Sequence, residues 1–193
     1  MKKFNITGKC IPEQHYMVDI SERVERIKQM VDAGDYLCIH RGRQYGKTTT
    51  LSLLKRRLDK DYAVFSLSLE SVGEAELQTD ETLASALLWM LNQKIKTSQV
   101  SCLSPDAIMY MSEVAPEVPS SISTLVFGAI ISSFCQLNEK PVVLLIDEVD
   151  QASNYASFIK ILGVLRDKSS TETTSQLLSP SYSRVSMTSR TSS

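Results

Sequence analysis

Two short runs hold the residue types from which phosphate chemistry is built. The first is Arg41-Gly42-Arg43-Gln44-Tyr45-Gly46-Lys47-Thr48-Thr49-Thr50. Glycine lets a backbone approach a phosphate, lysine supplies a point charge, and a threonine hydroxyl is a ligand for Mg2+. Gly46, Lys47 and Thr48 stand in that order directly ahead of a helix-forming run, Leu51–Leu58. A helix start leaves backbone N–H groups unpaired and carries the positive end of the macrodipole, so it attracts phosphate oxygens. A short apolar run, Tyr36–Ile39, precedes the loop. Strand, tight loop, Gly-Lys-Thr and helix form the layout of a phosphate-binding loop. The usual spacing is G-x-x-x-x-G-K-[ST]. Here Arg41 stands at the first Gly position, and Gly42 comes one residue late.

The second run is Val142-Val143-Leu144-Leu145-Ile146 followed by Asp147-Glu148. Continuous apolar and β-branched residues predict a strand buried on both faces of a parallel sheet. In open α/β sheets the C-terminal ends of strands face the ligand crevice. Asp147 is placed to hold Mg2+ through its water shell. Glu148 is placed to orient and deprotonate an attacking water. Taken alone, these acids could simply end a strand at a wet edge. Two such runs, in this order and each after a strand, favour a site. A strand at 62–69 and two helices intervene, so the Asp-Glu strand is expected one position removed from the loop strand. Glu directly after Asp matches the P-loop ATPases with a catalytic glutamate and argues against small-molecule kinases. No N-K-x-D run is present, which favours ATP over GTP.

The elements that must position these residues follow from periodicity and caps. Asp19 and Glu22 have capping-box spacing ahead of an apolar stripe, Val24, Ile27 and Val31, and Gly34 ends that helix. Tyr36–His40 reads as the first strand and Lys47–Leu58 as the loop helix. Tyr62–Leu69 reads as the second strand. A helix runs from Asp80, as cap, to Lys96, with Trp89 at a helix interface. Residues 97–119 read as a loop with one short helical piece, Pro105–Met111. Helices at Ser121–Leu137 and Tyr155–Arg166 flank the Asp-Glu strand. The fold class is therefore α/β: a P-loop NTPase three-layer α/β/α sandwich with a mainly parallel sheet.

Composition narrows the partners. The chain has 193 residues, 42% of them hydrophobic, and a net charge of −1. No global field draws it to nucleic acid or to an acidic membrane. Lys55-Arg56-Arg57 is its longest basic run and reads as a solvated helix face. The cysteines Cys10, Cys38, Cys102 and Cys135 have no C-x-x-C spacing, and only His15 and His40 accompany them, so a structural metal is not expected. Cys38 and Cys135 read as buried thiols. The N-terminus lacks a signal peptide, and no run has the ~20 apolar residues of a membrane span. A cytoplasmic, reduced protein is expected.

The loop Arg41-Gly42-Arg43-Gln44-Tyr45-Gly46-Lys47-Thr48 resembles the R-x-R-x-[FY]-G-K-[ST] loop of the AAA-ATPase-like family of bacterial proteins, in which Arg regularly replaces the first glycine. Tyr16-Met17-Val18-Asp19-Ile20-Ser21 and Leu144-Leu145-Ile146-Asp147-Glu148-Val149-Asp150 are also similar to that family. The resemblance spans about residues 1–167. It implies ATP and Mg2+ binding by Gly46, Lys47, Thr48, Asp147 and Glu148, with Lys47 and Glu148 catalytic and Thr48 and Asp147 at the metal. Gln44, Tyr45 and Thr49 complete the nucleotide-binding loop with Gly42. Arg41 and Arg43 could contact phosphate or pair with a neighbouring acid. Family members often continue into a helical region or a nuclease-like domain of the PD-(D/E)XK type. ATP is the expected ligand, with a homo-oligomer or a missing C-terminal domain as partner. An intact ATPase of this kind hydrolyses ATP. The alternatives are a non-hydrolysing nucleotide-binding regulatory module, or the ATPase part of a nucleic-acid-processing system, for which the net charge gives no support.

After Asp167 the chemistry changes. Residues 168–193 number 26, and 15 of them are Ser or Thr. Composition predicts a disordered tail where a P-loop sheet needs a further strand. The domain at 1–167 is thus expected to be incomplete at its C-terminal side and poorly soluble. One inserted base after the codon of Lys168 converts the tail, with suitable codons, into a reading containing V-I-L-A-G-V-Y, which is similar to the family's continuation. A frameshift product is the expectation, with a genuine disordered, soluble tail as the alternative, and the gene sequence across codons 166–170 decides between them.

Overall fold

The computed structural model describes residues 19–35, 37–38, 46–150, 152–175 and 183–187, with side chains up to Asp167 and not that of Cys38. Helix α1 (Ser21–Ala33) leads to strand β1 (Leu37–Cys38) and helix α2 (Lys47–Leu58). Strand β2 (Ala63–Ser68) follows, then the short α3 (Glu74–Leu77) and the long α4 (Asp80–Lys96). Helices α5 (Pro105–Val114) and α6 (Thr124–Leu137) precede strand β3 (Val142–Asp147). Helix α7 (Ala156–Ser175) and strand β4 (Ser183–Met187) complete the described chain. The sheet order is β1-β4-β3-β2, and every pairing is parallel. The architecture is α/β. As the order of motifs predicted, β3 stands one position removed from β1.

Both faces of the sheet are covered, which is why β3 is apolar without alternation as far as Ile146. Val64, Val143 and Leu145 point to one face, against Val24, Ile27 and Val31 of α1 and Leu51, Leu54 and Leu58 of α2. Ala63, Phe65, Leu67, Val142, Leu144 and Ile146 point to the other, against α4, α5, α6 and α7. There Phe65 meets Phe134 of α6 edge to face, with ring centroids 5.8 Å apart. Such a pair contributes about 0.5–1.5 kcal/mol beyond its buried area. Each fully buried Leu or Phe adds about 1.5–3 kcal/mol by leaving water.

Local hydrogen bonds moved several boundaries from their expected places. The Asp19–Glu22 capping box does not form. Asp19 Oδ1 accepts instead from the Ser21 N–H, 2.9 Å away and only two residues on, which makes a turn ahead of the helix. Gly34 does end α1, at φ 88°, and the Asp35 N–H reaches back to the Met30 carbonyl at 3.0 Å. The cap of α4 is Thr79, not Asp80: Thr79 is extended and its Oγ1 accepts from the Thr82 N–H at 3.1 Å. Asp80 becomes the first helical residue and pairs with Lys160 on α7. Ser104 caps α5, with Pro105 in the first position, and the helix runs past Met111 to Val114. Helix α6 starts at Thr124 because the Ile122 N–H is held by the Glu81 carbonyl, 3.1 Å away. Trp89 is half-buried, and its Nε1 donates to the Glu117 carbonyl at 2.9 Å.

The tail also differs from expectation. Helix α7 continues past Arg166 to Ser175, and Ser183–Met187 forms the strand between β1 and β3. A Ser/Thr-rich segment can occupy that place because two flanking strands offer backbone hydrogen bonds that do not depend on side chains. Of the strand expected at Tyr36–His40, Leu37 and Cys38 are described, and the rest lies outside the described residues. No helix among the described residues is long and apolar enough to cross a membrane.

Candidate phosphate-binding site

Parallel strands place their C-terminal ends on one edge, and β3 delivers Asp147 there as its last residue. Helix α2 delivers Gly46 and Lys47 to the same edge. Gly46 precedes the helix at φ 74°, in the left-handed region where a side chain would meet the carbonyl. Its own carbonyl is gripped twice by Thr50, by the backbone N–H at 2.9 Å and by Oγ1 at 2.8 Å. Thr50 is fully buried, so this grip is shielded from water. Lys47 opens the helix and is half-buried, Thr48 is exposed, and Thr49 is half-buried in the first turn.

The two motifs meet in space. Thr48 Oγ1 donates to Asp147 Oδ2 at 3.1 Å, across 99 positions of sequence. The other carboxylate oxygen, Oδ1, accepts from the Glu148 N–H at 2.9 Å, which fixes the plane of the group. Asp147 is 9% exposed, while Glu148 is half-exposed at the rim. Glu148 has φ 54°, a conformation that costs a non-glycine residue about 1–2 kcal/mol. Such strain gathers where a side chain must be aimed away from the strand direction.

Of the residues singled out by sequence, Gly46, Lys47, Thr48, Thr49, Asp147 and Glu148 share this edge. Arg41, Gly42, Arg43, Gln44 and Tyr45 lie outside the described residues. Sequence reasoning missed Thr50, whose signal was its place four residues after Gly46, and Ser68. Ser68 ends β2 in register with Asp147, and its Oγ accepts from the Glu70 N–H at 3.3 Å. Between α4 and α7, the Lys160 ammonium holds the Asp80 carboxyl below its ordinary range, and Asp80 raises Lys160 in turn.

The donor set suits a hard divalent cation. A hydroxyl and one carboxylate, already within 3.1 Å, are the ligands that Mg2+ takes when substrate phosphates and waters complete its shell. Among the described residues no group of three or more His, Cys, Asp and Glu could hold a metal. A cation bound mainly by phosphate needs no such group. Comparison of the chain with protein-family models, curated proteins and solved structures finds no match.

Proposed function

We propose that this chain binds ATP with Mg2+ at the edge formed by Gly46–Thr49 and Asp147–Glu148, and that it hydrolyses the terminal phosphate. On this reading its α/β core is that of a P-loop NTPase, of the kind its loop resembles. The observation that carries the proposal is the Thr48–Asp147 hydrogen bond, which joins two motifs that phosphate chemistry requires side by side. The backbone N–H groups of the first turn of α2 and the Lys47 ammonium would bind the phosphate oxygens. Thr48 and Asp147 would hold Mg2+, which supplies charge neutralisation on those oxygens. Glu148 accepts a hydrogen bond from a water, orients it and takes its proton. The left-handed backbone at Glu148 turns this carboxylate out of the strand's line.

The test is titration of ATP onto purified protein and its Lys47→Ala variant, with thermal unfolding as a check on the fold. Loss of one charge-assisted hydrogen bond, about 1.5–3 kcal/mol, weakens binding roughly 10- to 150-fold. Unchanged affinity in a folded variant would sink the assignment.

A further inference from the structure

At the opposite edge of the sheet a thiol and an amine stand in contact. Cys102, in the connection from α4 to α5, is a half-buried free thiol. Lys140, in the connection from α6 to β3, donates from Nζ to Cys102 Sγ at 3.2 Å. A second bond, to the Lys60 carbonyl at 2.9 Å, holds this nitrogen in place independently of the sulfur. The thiol in turn donates to the Asp59 carbonyl at 3.5 Å. The connections are fixed around the pair by Asn138, whose Nδ2 donates to the carbonyls of Cys102 at 3.4 Å and Lys140 at 2.6 Å. Both side chains are only partly buried, so a small oxidant reaches them from solvent.

The geometry points to a covalent redox modification site, in which a peroxide joins Cys102 Sγ to Lys140 Nζ. In the first step the sulfur attacks one peroxide oxygen. An S–O bond forms, the O–O bond breaks, and water leaves, giving a sulfenic acid and a sulfur oxidised by two electrons. In the second step Lys140 gives one proton to solvent and its nitrogen lone pair attacks the sulfur. An S–N bond forms, the S–O bond breaks, and the hydroxyl leaves as water with a proton from nitrogen. One thiol, one amine and one hydrogen peroxide thus give one sulfenamide and two waters. Sulfenic acids are known to be captured by nitrogen in this way. An amine already at contact distance competes well against a second peroxide from bulk solvent. A thiol reductant reverses the link by attacking the sulfur and releasing the amine. The link would join residues 38 positions apart and tie the connection before α5 to the one before β3.

The experiment treats the purified full chain with hydrogen peroxide, alkylates the remaining thiols, and maps peptides without reduction. The expected product is a Cys102 peptide joined to a Lys140 peptide, two hydrogens lighter than their sum and separated by dithiothreitol. Lys140→Arg keeps a cation but lacks the nucleophilic amine, so its Cys102 gains oxygen atoms without a link. Should that variant fold poorly, wild-type protein oxidised in denaturant serves instead, and it should give no link because the contact depends on the fold. Wild-type Cys102 that collects oxygens unlinked, pairs with another cysteine or stays reduced would overturn the proposal.

Discussion

The two edges of the sheet are finished in different ways. At the N-terminal edge the polar groups are satisfied from within. Buried Asn138 accepts from the Ser104 N–H at 2.8 Å and donates to two carbonyls, and Lys140 closes the turn ahead of β2. At the C-terminal edge one bond joins Thr48 to Asp147, the backbone at Glu148 is in the left-handed region, and helix α2 begins. The first edge spends its polar groups on holding connections together. The second leaves Thr48 exposed and Glu148 half-exposed beside the buried Asp147. Sheets of this kind bind ligands at that edge because parallel strands and the helices that follow them bring their useful ends to it.

The sharpest way to break this contrast is to remove the chemistry from the C-terminal edge alone. Glu148→Gln keeps the shape of the side chain and removes its basicity, so phosphate release should fall about 10²- to 10⁴-fold, the range for general-base catalysis. ATP affinity should stay near wild type, and unfolding should be unchanged. If wild type binds ATP yet releases no phosphate above this variant, the edge binds without turnover.

At the other edge the effect should fall on stability. Asn138→Ala removes a buried side chain and leaves the partly buried Ser104 N–H and two carbonyls without this partner. Water can reach these partly buried groups, so the loss should be about 1–3 kcal/mol, measurable by urea unfolding. ATP affinity in the folded fraction should not change. A variant that loses ATP binding in proportion to stability would mean that the edges are not separable.

The smallest effect concerns the exposed Asp80–Lys160 pair, which ties α4 to α7. The ammonium of Lys160 lowers the Asp80 pKa from 3.8, so its contribution is present above that value and is lost as pH falls through the lower, folded one. Asp80 raises Lys160 from 10.5, so that contribution is full below 10.5 and is lost as pH rises through the higher, folded value. Between those limits the gap in unfolding temperature between wild type and Asp80→Asn should be flat, and it should close below pH 3.8. Solvent screening keeps it small.

Much of this was legible one residue at a time. Val142–Ile146 could only be a strand covered on both faces, because no polar residue interrupts it, and Gly34 could end a helix in the left-handed region at no steric cost. Helix starts were less legible. Asp19, Thr79 and Asp80 are all competent caps, and neighbouring backbone groups decided between them. The tail was least legible, since a Ser/Thr-rich segment has no period to read, and pairing with two strands comes from the backbone alone.

By itself the sequence determined the parts: a Gly-Lys-Thr run ahead of a helix, an Asp-Glu pair after an apolar run, and an order that left one strand between β1 and β3. Those properties follow from steric preference, hydrophobic pattern and chain order, which act locally. Only the tertiary structure decided that Thr48 meets Asp147, that Glu148 leaves the strand at φ 54°, and that Cys102 lies against Lys140. Two of these are contacts between groups distant in sequence that packing brings together, one at each edge of the sheet. The other is a backbone angle imposed where β3 ends and its ladder stops.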